Sequence, residues 1–374
     1  MSSLPPEVIE LDRKIIDFIR RGVDHWDEEG FNRLALEIFE LQFRTIPLYR
    51  RFCERRGVTP DTIASWKEVP ALPTDVFKVA ELSTFPSHVV RTFMTSGTTR
   101  SDERGKVGYD EGGLRLMDET IKEEAASFLF PDGVRTKMLI LAPPPEIAPH
   151  MVMAYGMGRL KDTFGLPKSR FLLGPEGFEV GPLIQELRAS EEEGIPVTLC
   201  GGSFGFVNFF DYCREKGLRF SLPPGSRTLD AGGFKGRSRE VTREAFVTDC
   251  EELLGIRKEY SVNLLGMTEI ASQFYDNTLR NLHRGVLAPA AKVNPPWTRT
   301  VVVDPETLDP LGEGEVGLLK HVDLANRGHL LSVQTDDIGK RTGEGFEVFG
   351  RAKGDSSRGC SLTIDEWTRI LKER

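Results

Sequence analysis

A run of hydroxyl side chains and glycine follows a stretch that is predicted to be a strand, and a loop of this type can hold phosphate. Glycine lets backbone N–H groups approach an anion closely, and each hydroxyl adds a hydrogen-bond donor. The basic residues Arg104 and Lys106 come shortly afterwards. The spacing of a Walker P-loop is absent, so a polar turn stays open as the alternative. The five residues of the run are Thr95, Ser96, Gly97, Thr98 and Thr99.

Two glycines mark a second candidate site. Gly232 and Gly233, followed by Phe234, come directly after an apolar stretch that is predicted to be a strand. A backbone without Cβ atoms allows a flat ring or a phosphate to come close. An ordinary turn is the alternative interpretation.

A third candidate, Gly266-Met267-Thr268-Glu269, stands at the end of another predicted strand. Thr268 could donate a hydrogen bond to a phosphate. Glu269 could hold a Mg²⁺ ion that bridges phosphate oxygens, because Mg²⁺ prefers oxygen ligands. The alternative is a helix that begins here, with Thr268 as its N-cap.

The last two motifs bring carboxylates and an arginine. Asp336 and Asp337 follow Thr335, and a carboxylate at a strand end can accept hydrogen bonds from both hydroxyls of a ribose. Further along the chain, Gly350 precedes Arg351. An Asp-Asp turn and a hinge are the alternative interpretations of these two motifs.

The order and spacing of the five motifs resemble those of the adenylate-forming superfamily. This superfamily includes acyl-CoA synthetases, firefly luciferase and the adenylation domains of peptide synthetases. The resemblance covers residues 90 to 360 and implies that a carboxylic acid attacks the α-phosphorus of ATP. The products are an enzyme-bound acyl-adenylate and pyrophosphate, and the protein supplies positioning and charge neutralisation. ATP and Mg²⁺ are the implied cofactors.

At the phosphate end, the resemblance implies that the hydroxyl-rich loop holds the β- and γ-phosphates and then releases pyrophosphate. Arg100 stands where the family has a glycine, and Lys106 is the substitute for a lysine that the family carries next to this loop. Thr268 is implied to contact the α-phosphate, and Glu269 to bind Mg²⁺.

At the adenine end, the resemblance implies that Gly232 and Gly233, with Phe234, line the pocket for the base. Leu265 replaces the aromatic residue that packs on adenine in the family. Gly266 and Met267 complete this nucleotide-contacting set.

At the ribose, the resemblance implies that Asp337 binds the hydroxyls, with Asp336 standing where a glycine is usual. Arg351 matches the arginine that contacts the ribose and is predicted to act in catalysis together with Thr268 and Glu269.

Cys360 lies near the end of the printed sequence, which stops 23 residues after Arg351. In this respect the chain resembles the LuxE-like acyl-protein synthetases of bacterial fatty acid reductase. The C-terminal swinging domain, which carries a catalytic lysine in the superfamily, is expected to be truncated. No residue is assigned to that role, and Lys353 and Lys372 are stand-ins by proximity in sequence alone. The resemblance implies that the acyl group passes to Cys360 as a thioester and then to a reductase partner. A cation such as Arg358 would favour the thiolate; a buried structural cysteine is the alternative.

The resemblance favours a medium or long fatty acid as the substrate. The predicted acyl site lies around residues 143–155 and 201–210, where His150 and the phenylalanines from Phe204 to Phe210 are candidate walls. A packed histidine and an ordinary aromatic core are the alternative interpretations. Two other functions stay open. One is an acid:CoA ligase of the phenylacetate type, and the other is a nucleotide-binding scaffold that has lost catalysis and serves a reductase complex.

The composition is that of a globular protein and limits the possible partners. The 374 residues carry a net charge of −8 without a long basic run, which argues against nucleic-acid binding. No signal peptide or membrane-spanning stretch is recognised, so a cytoplasmic protein is expected. The five cysteines form no CxxC pair, so a zinc site is not predicted, and each cysteine is expected to be a buried, inert thiol by default. Assembly with a partner or as an oligomer is possible.

The predicted fold is α/β: a large adenylate-forming domain of layered, largely parallel sheets and helices, with a small β subdomain. Apolar residues spaced by three and four predict helices in residues 1–90. Short apolar runs, such as 89–94 and 261–265, alternate with helical patterns, such as 242–254. The alternation predicts a mainly parallel sheet for the nucleotide- and acyl-binding core, residues 91–290. Residues 291–350 are predicted to form the β subdomain, with a strand–turn–strand pattern near residue 300, and 351–374 a short C-terminal remnant.

Overall fold

The computed structural model describes residues 4–95, 104–232, 241–352, 363, 366, 369 and 370. The chain divides into two compact units. Unit 1 comprises residues 1–123, 267–272 and 291–374, and unit 2 comprises residues 124–266 and 273–290. The candidate motifs are therefore divided between the two units. The predicted four-part division of the chain stays a prediction.

The N-terminal part of unit 1 is helical, as the periodic apolar residues predicted. Val8, Leu11, Ile15 and Phe18 share one face of the first helix, and all four are buried. The second helix begins after Asp27, whose side chain accepts a hydrogen bond from the backbone N–H of Gly30 at 2.8 Å, as an N-cap does. The helices are α1 (Pro6–Ile19), α2 (Glu28–Thr45), α3 (Pro47–Arg55), α4 (Val76–Val79) and α5 (Glu111–Phe128), the last of which crosses into unit 2.

A twisted antiparallel sheet dominates the rest of unit 1. Its strand order is β12-β16-β15-β14-β13, and β1 pairs with β15 in parallel. The predicted strand–turn–strand pattern near residue 300 is confirmed by β13 and β14. The strands are β1 (Leu72–Pro73), β12 (Lys292–Val293), β13 (Thr298–Val303), β14 (Val316–Asp323), β15 (Ser332–Thr342) and β16 (Gly345–Arg351).

One predicted strand of the parallel sheet belongs instead to a separate hairpin in unit 1. The apolar run from Val89 to Met94 was grouped with the strands of the parallel sheet, but β2 (Arg91–Met94) pairs antiparallel with β3 (Lys106–Tyr109). An apolar run of four to six residues fits a parallel and an antiparallel strand equally well. The neighbouring strand determines whether the pairing is parallel or antiparallel. The hairpin brackets the hydroxyl-rich loop.

Unit 2 contains the predicted parallel sheet, with strand order β11-β10-β9-β8-β4-β5 and only the short β11 antiparallel among these strands. Its central strands are buried on both faces, which explains their continuous apolar sequences. The strands are β4 (Lys137–Leu141), β5 (Arg170–Phe171), β6 (Leu173–Gly174), β7 (Gly177–Phe178), β8 (Val197–Gly202), β9 (Arg227–Ala231), β10 (Ser261–Leu265) and β11 (Phe274–Tyr275). The helices are α6 (Val152–Phe164), α7 (Val180–Glu193), α8 (Ser203–Lys216), α9 (Arg243–Leu254) and α10 (Thr278–Arg284).

Three of the four phenylalanines of α8 belong to the core of unit 2, whereas Phe204 is half-buried. Phe206, Phe209 and Phe210 are fully buried and pack with Phe246 of α9. His150, the other proposed wall of the acyl site, is exposed. The aromatic cluster therefore stabilises helix packing, and the alternative of an ordinary core is the better interpretation of these three phenylalanines.

Four cysteines, Cys53, Cys200, Cys213 and Cys250, are free and buried. Burial raises the pKa of the Cys53 and Cys250 thiols to about 12, so these side chains are poor nucleophiles. The prediction that they are inert core residues is confirmed. Among the helices of the described residues, none is long and apolar enough to cross a membrane.

Candidate active site

The base of the hydroxyl-rich loop is closed by two hydrogen bonds between Thr95 and Gly105. The backbone N–H of Thr95 donates to the Gly105 carbonyl at 2.9 Å, and the Gly105 N–H donates to Thr95 Oγ1 at 2.9 Å. A Cβ on Gly105 would lie 2.9 Å from Thr95 Cγ2, so a larger residue here would force its neighbours to shift. Lys106 follows on β3, with an exposed side chain. The pair holds the two ends of the loop together.

Thr268 and Glu269 lie in a loop of unit 1 that is not helical. The segment from Gly266 to Gln273 consists of turns and bends, so the interpretation of Thr268 as a helix N-cap is wrong. The Thr268 hydroxyl donates to the carbonyl oxygen of Met94 at 3.3 Å. Met94 directly precedes Thr95, and Thr268 therefore lies beside the start of the hydroxyl-rich loop.

The backbone around Glu269 is held by polar side chains that the sequence reasoning missed. Asn326 Nδ2 donates to the Glu269 carbonyl at 3.0 Å, and its Oδ1 accepts from the Ala271 N–H at 2.8 Å. His329 Nε2 lies 3.2 Å from the same carbonyl, which can only accept, so this nitrogen carries the proton. We call residues 323–329 the clamp segment. In the sequence, Asn326 and His329 interrupt an apolar stretch, and this interruption could have marked them as candidate site residues.

A carboxylate of the clamp segment, Asp323, holds the far side of the loop. Asp323 accepts hydrogen bonds from the Ser272 N–H at 2.8 Å and from the Ser272 hydroxyl at 2.9 Å. Burial raises the pKa of Asp323 to about 6, although these hydrogen bonds oppose the shift. The loop is consequently anchored on both sides of Glu269.

Glu269 is a buried carboxylate in an electrostatically mixed environment. Burial raises its pKa to about 7, and the negative charge of Asp337 adds to this effect. The positive charges of Arg351 and Lys78 lower it. A carboxylate that is desolvated in this way is stabilised in its ionised form by any additional cation.

Asp336 and Asp337 lie inside β15, which runs over Ser332–Thr342, and not at a strand end or in a turn as predicted. Asp337 is paired with Arg351 of β16, and Arg351 Nε lies 3.3 Å from Asp337 Oδ1. Burial raises the pKa of both aspartates, and Arg351 opposes this. A bulge after Ile338 interrupts the pairing at this point. The strand thus presents a carboxylate and an arginine side by side.

In unit 2, Gly232 begins the double-glycine turn with a φ of 74°, a left-handed conformation that favours glycine. Ser203 Oγ lies 2.8 Å from the Gly232 carbonyl and 3.1 Å from Asp230 Oδ2. Asp230 also accepts hydrogen bonds from Arg243 at 2.6 Å and from Asn263 at 2.8 Å. Asp230 was not singled out from the sequence, although a carboxylate at the end of a buried strand was a usable signal.

Several predicted site residues lie outside the described residues. They are Ser96, Gly97, Thr98 and Thr99 of the hydroxyl-rich loop, Gly233 and Phe234 of the double-glycine turn, and Cys360. Gly266 is described as an exposed residue of unit 2, and Met267 as a half-buried residue of unit 1.

The described residues fit a magnesium ion that binds together with phosphate. They contain no cluster of three or more His, Cys, Asp or Glu side chains that could form a complete metal site. Glu269 offers one desolvated carboxylate. Mg²⁺ is commonly bound by one or two carboxylates, with phosphate oxygens and water as the other ligands. Glu269 could therefore serve as the protein ligand of a phosphate-bound ion.

We predict that Asn326→Asp releases the loop that carries Glu269. The substitution keeps an oxygen for the Ala271 N–H but removes the donor to the Glu269 carbonyl, and it places a charge in a buried position. The expected cost is about 1–3 kcal/mol of stability, with faster hydrogen exchange in residues 267–272. Hydrogen–deuterium exchange read by mass spectrometry measures this.

Asn32 supplies a matched control for this prediction. Its amide also bridges two backbone groups, donating to the Ala64 carbonyl at 3.0 Å and accepting from the Trp66 N–H at 2.8 Å. Asn32→Asp should leave exchange in residues 267–272 unchanged. Equal exchange in that segment in the two variants would contradict the role of Asn326.

Comparisons with known proteins find similarity along most of the chain. The family model "Acyl-protein synthetase, LuxE" matches residues 24–368. The long-chain-fatty-acid–luciferin-component ligase of Vibrio harveyi is 22% identical over 380 residues, which cover 98% of this chain and 97% of that protein. The phenylacetate-coenzyme A ligase of Thermus thermophilus is 26% identical and is covered to 64% of its length, with 83% of this chain aligned.

A solved structure shows the same fold. An open conformation of 2-hydroxyisobutyryl-CoA ligase, in complex with its acyl-adenylate and CoA, superposes with a TM-score of 0.63 at 15% sequence identity. The match covers 89% of this chain and 77% of that one. At this identity the similarity establishes the α/β fold of adenylate-forming enzymes, which confirms the predicted fold class.

Proposed function

The chain belongs to the LuxE family of acyl-protein synthetases, and we propose that it activates a long-chain fatty acid with ATP and passes the acyl group through Cys360 to a protein partner. The first half-reaction forms acyl-AMP and releases pyrophosphate. The second forms a thioester and releases AMP. The enzyme is accordingly an AMP-forming ligase.

The observation that carries the proposal is the convergence of four separate stretches of chain in unit 1. Thr268 donates to the carbonyl that precedes Thr95. The charges of Asp337 and Arg351 act on the buried Glu269 carboxylate. Hydroxyl, carboxylate and guanidinium groups that suit phosphate, a divalent cation and ribose therefore share one region of one unit.

We assign each of these side chains a task in adenylation. When ATP binds, the Thr268 hydroxyl turns from the Met94 carbonyl and donates to the α-phosphate. Asp337 accepts hydrogen bonds from the ribose hydroxyls beside Arg351. Glu269 is the ligand for Mg²⁺, which would supply charge neutralisation at the phosphates when bound. In the reaction, a carboxylate oxygen of the fatty acid bonds to the α-phosphorus. The bond from this phosphorus to the bridging oxygen breaks, and pyrophosphate leaves with the electron pair.

We place the second half-reaction on Cys360. The thiolate attacks the carbonyl carbon of the acyl-adenylate, a carbon–sulfur bond forms, and AMP leaves with the electrons of the broken carbon–oxygen bond. The buried cysteines are poor candidates for this role because desolvation disfavours their thiolates. A reductase that accepts the acyl group is the partner that the family resemblance suggests.

One competing function has an observation in its favour. The similarity to the phenylacetate-coenzyme A ligase supports CoA as the acyl acceptor in place of Cys360. The two acceptors are distinguished by where the acyl group is found after the reaction, since only the thioester on Cys360 stays with the denatured protein.

The test is acyl labelling of the purified protein with ATP, Mg²⁺ and radiolabelled fatty acids of several chain lengths. We expect a labelled band on a denaturing gel that hydroxylamine removes and that Cys360→Ala lacks. Cys53→Ala, which removes a buried thiol, should still be labelled. Label that persists in Cys360→Ala would contradict the thioester assignment, and acid-dependent AMP release only with CoA would establish the competing ligase.

A further inference from the structure

Helix α4 is fixed against three parts of the candidate site. The backbone carbon of Phe77 lies 3.2 Å from the position that a Cβ would take on Gly105, at the base of the hydroxyl-rich loop. The Phe77 ring contacts the His329 ring edge-on, with 6.1 Å between centroids. Thr74, just before the helix, donates its N–H to the Gln334 carbonyl of β15 at 3.0 Å. The position of α4 is thus set by the elements that hold Thr95, Glu269 and Asp337.

Lys78 follows Phe77 on this helix and extends toward solvent. Its side chain is 43% exposed, and Nζ lies 2.5 Å from Asp75 Oδ1. The charge of Lys78 acts on two carboxylates of the site. Burial is the main influence on the pKa of both Glu269 and Asp336, and Lys78 lowers the pKa of each. The ammonium is therefore within electrostatic range of the two carboxylates and remains accessible to a ligand.

The negative charges of the site favour a cation at the position of the Lys78 ammonium. Glu269, Asp336, Asp337 and Asp75 bring four carboxylates, whereas Arg351 beside Asp337 and Lys78 beside Asp75 are the cations named with them. The reaction adds two further anions, the triphosphate and the fatty acid carboxylate, which must approach each other. Their repulsion has to be reduced where the new bond forms, and a preorganised cation does this most effectively in a partly desolvated site.

We propose that Lys78 is a catalytic residue of adenylation, whose ammonium contacts the phosphate oxygens of ATP while the fatty acid carboxylate attacks the α-phosphorus. The inference rests on the proposed function. Lys78 keeps its proton throughout, because the step forms one phosphorus–oxygen bond, breaks another and transfers no proton. Asp75 holds the ammonium until ATP binds. Transfer of the acyl group to a thiol involves no triphosphate and does not need Lys78.

The experiment compares Lys78→Ala, Lys78→Arg and Lys122→Ala in fatty-acid-dependent ATP–pyrophosphate exchange. Lys122 is the matched control, since it is 51% exposed and pairs with an acidic residue three positions earlier, Glu119. We expect Lys78→Ala to lower kcat for exchange by about 10²–10³-fold, and Lys78→Arg to restore part of the loss. Lys122→Ala should stay within about twofold of the wild type. A second assay starts from synthetic fatty acyl-AMP and measures acyl labelling, which Lys78→Ala should retain.

The outcomes separate this inference from the proposed function. Exchange in Lys78→Ala that equals that of Lys122→Ala would overturn the role of Lys78. A loss that appears equally in both assays, or that follows a lowered melting temperature, would assign Lys78 a structural role and also overturn the proposal. Absence of exchange in the wild-type protein with every acid tested would overturn the proposed function itself, and with it the role of Lys78.

Discussion

Replacing Glu269 with glutamine should lower fatty-acid-dependent ATP–pyrophosphate exchange by about 10²–10³-fold without lowering the melting temperature. Glutamine keeps the shape of the side chain and leaves the backbone hydrogen bonds from Asn326 and His329 intact. It removes the negative charge that we assign to Mg²⁺ binding. Since Glu269 is buried and its charge is poorly solvated, the neutral variant should be at least as stable as the wild type.

Glu124 provides the control for this variant. It is a fully buried carboxylate that accepts a hydrogen bond from the Gln273 N–H at 3.1 Å. Glu124→Gln makes the same chemical change elsewhere in the chain and should retain exchange once the protein is shown to be folded. Exchange in Glu269→Gln within about twofold of that in Glu124→Gln would contradict the assignment of Glu269.

The raised pKa of Glu269 predicts that the binding of ATP with Mg²⁺ depends on pH. Burial raises the pKa of Glu269 to about 7, so in the free enzyme this group takes up a proton as the pH falls through that value. A proton and a cation compete for a carboxylate. The apparent affinity for ATP with Mg²⁺ should consequently fall between pH 8 and pH 6, and in Glu269→Gln this dependence should be absent.

Replacing Arg327 with methionine should destabilise the protein by about 3–5 kcal/mol at neutral pH. Arg327 is fully buried and forms paired hydrogen bonds with two carboxylates. Its nitrogens lie 2.6 and 2.9 Å from the oxygens of Asp12, and 2.7 and 2.8 Å from those of Asp110. Methionine fills part of the space but leaves both buried carboxylates without their cation. Urea unfolding followed by circular dichroism measures the loss.

Arg20 is the matched control for Arg327. It forms a similar two-pronged contact with Glu119, but its side chain is 54% exposed. Because exposed ion pairs contribute about 0–1 kcal/mol, Arg20→Met should have a small effect. If Arg327→Met lost no more stability than Arg20→Met at pH 7, the buried cluster would not be the anchor that its geometry indicates.

The loss of stability in Arg327→Met should become smaller as the pH falls. In the wild type, burial opposes ionisation of Asp110, but the contacts with Arg327 hold its pKa below the ordinary value. Stability from this pair is present above the unfolded-state pKa and is lost as the pH falls through the folded-state pKa. In the variant both carboxylates can be buried in neutral form at low pH. The difference from the wild type should therefore shrink on acidification.

The Arg327 cluster also shows why part of the site could not be predicted from sequence. Asp12 and Arg327 are 315 positions apart, and nothing in their local sequences pairs them. Asn326 and His329 likewise reach Glu269 across a long stretch of chain. Periodicity reports which face of an element is buried, but it does not report which distant polar groups meet.

Local sequence patterns, by contrast, were sufficient to predict individual helices and strands. The apolar stretch from Ser261 to Leu265 is β10, and the helix predicted for residues 242–254 is α9, Arg243–Leu254. A strand with both faces buried has a continuous apolar sequence, and its neighbour in the sheet need not be known. Asp336 and Asp337 were misplaced at a strand end because β15 continues through them, with a bulge that no sequence pattern indicated.

The candidate site residues were only partly predictable from the sequence. Thr268, Glu269, Asp337 and Arg351 were singled out by the motifs that resemble the adenylate-forming superfamily, and their grouping in unit 1 is consistent with the roles that the resemblance implies. Lys78 had no motif of its own. Its candidacy arises from the position of α4, which the contacts with Gly105, His329 and β15 determine.

The most direct test of the account is ATP–pyrophosphate exchange by the purified wild-type protein, measured with fatty acids of increasing chain length and without acid. The account predicts exchange that requires both Mg²⁺ and a fatty acid and that is strongest with long chains. Exchange that is absent with every acid, or that proceeds equally well without any, would contradict the central claim that this chain activates a fatty acid as its adenylate.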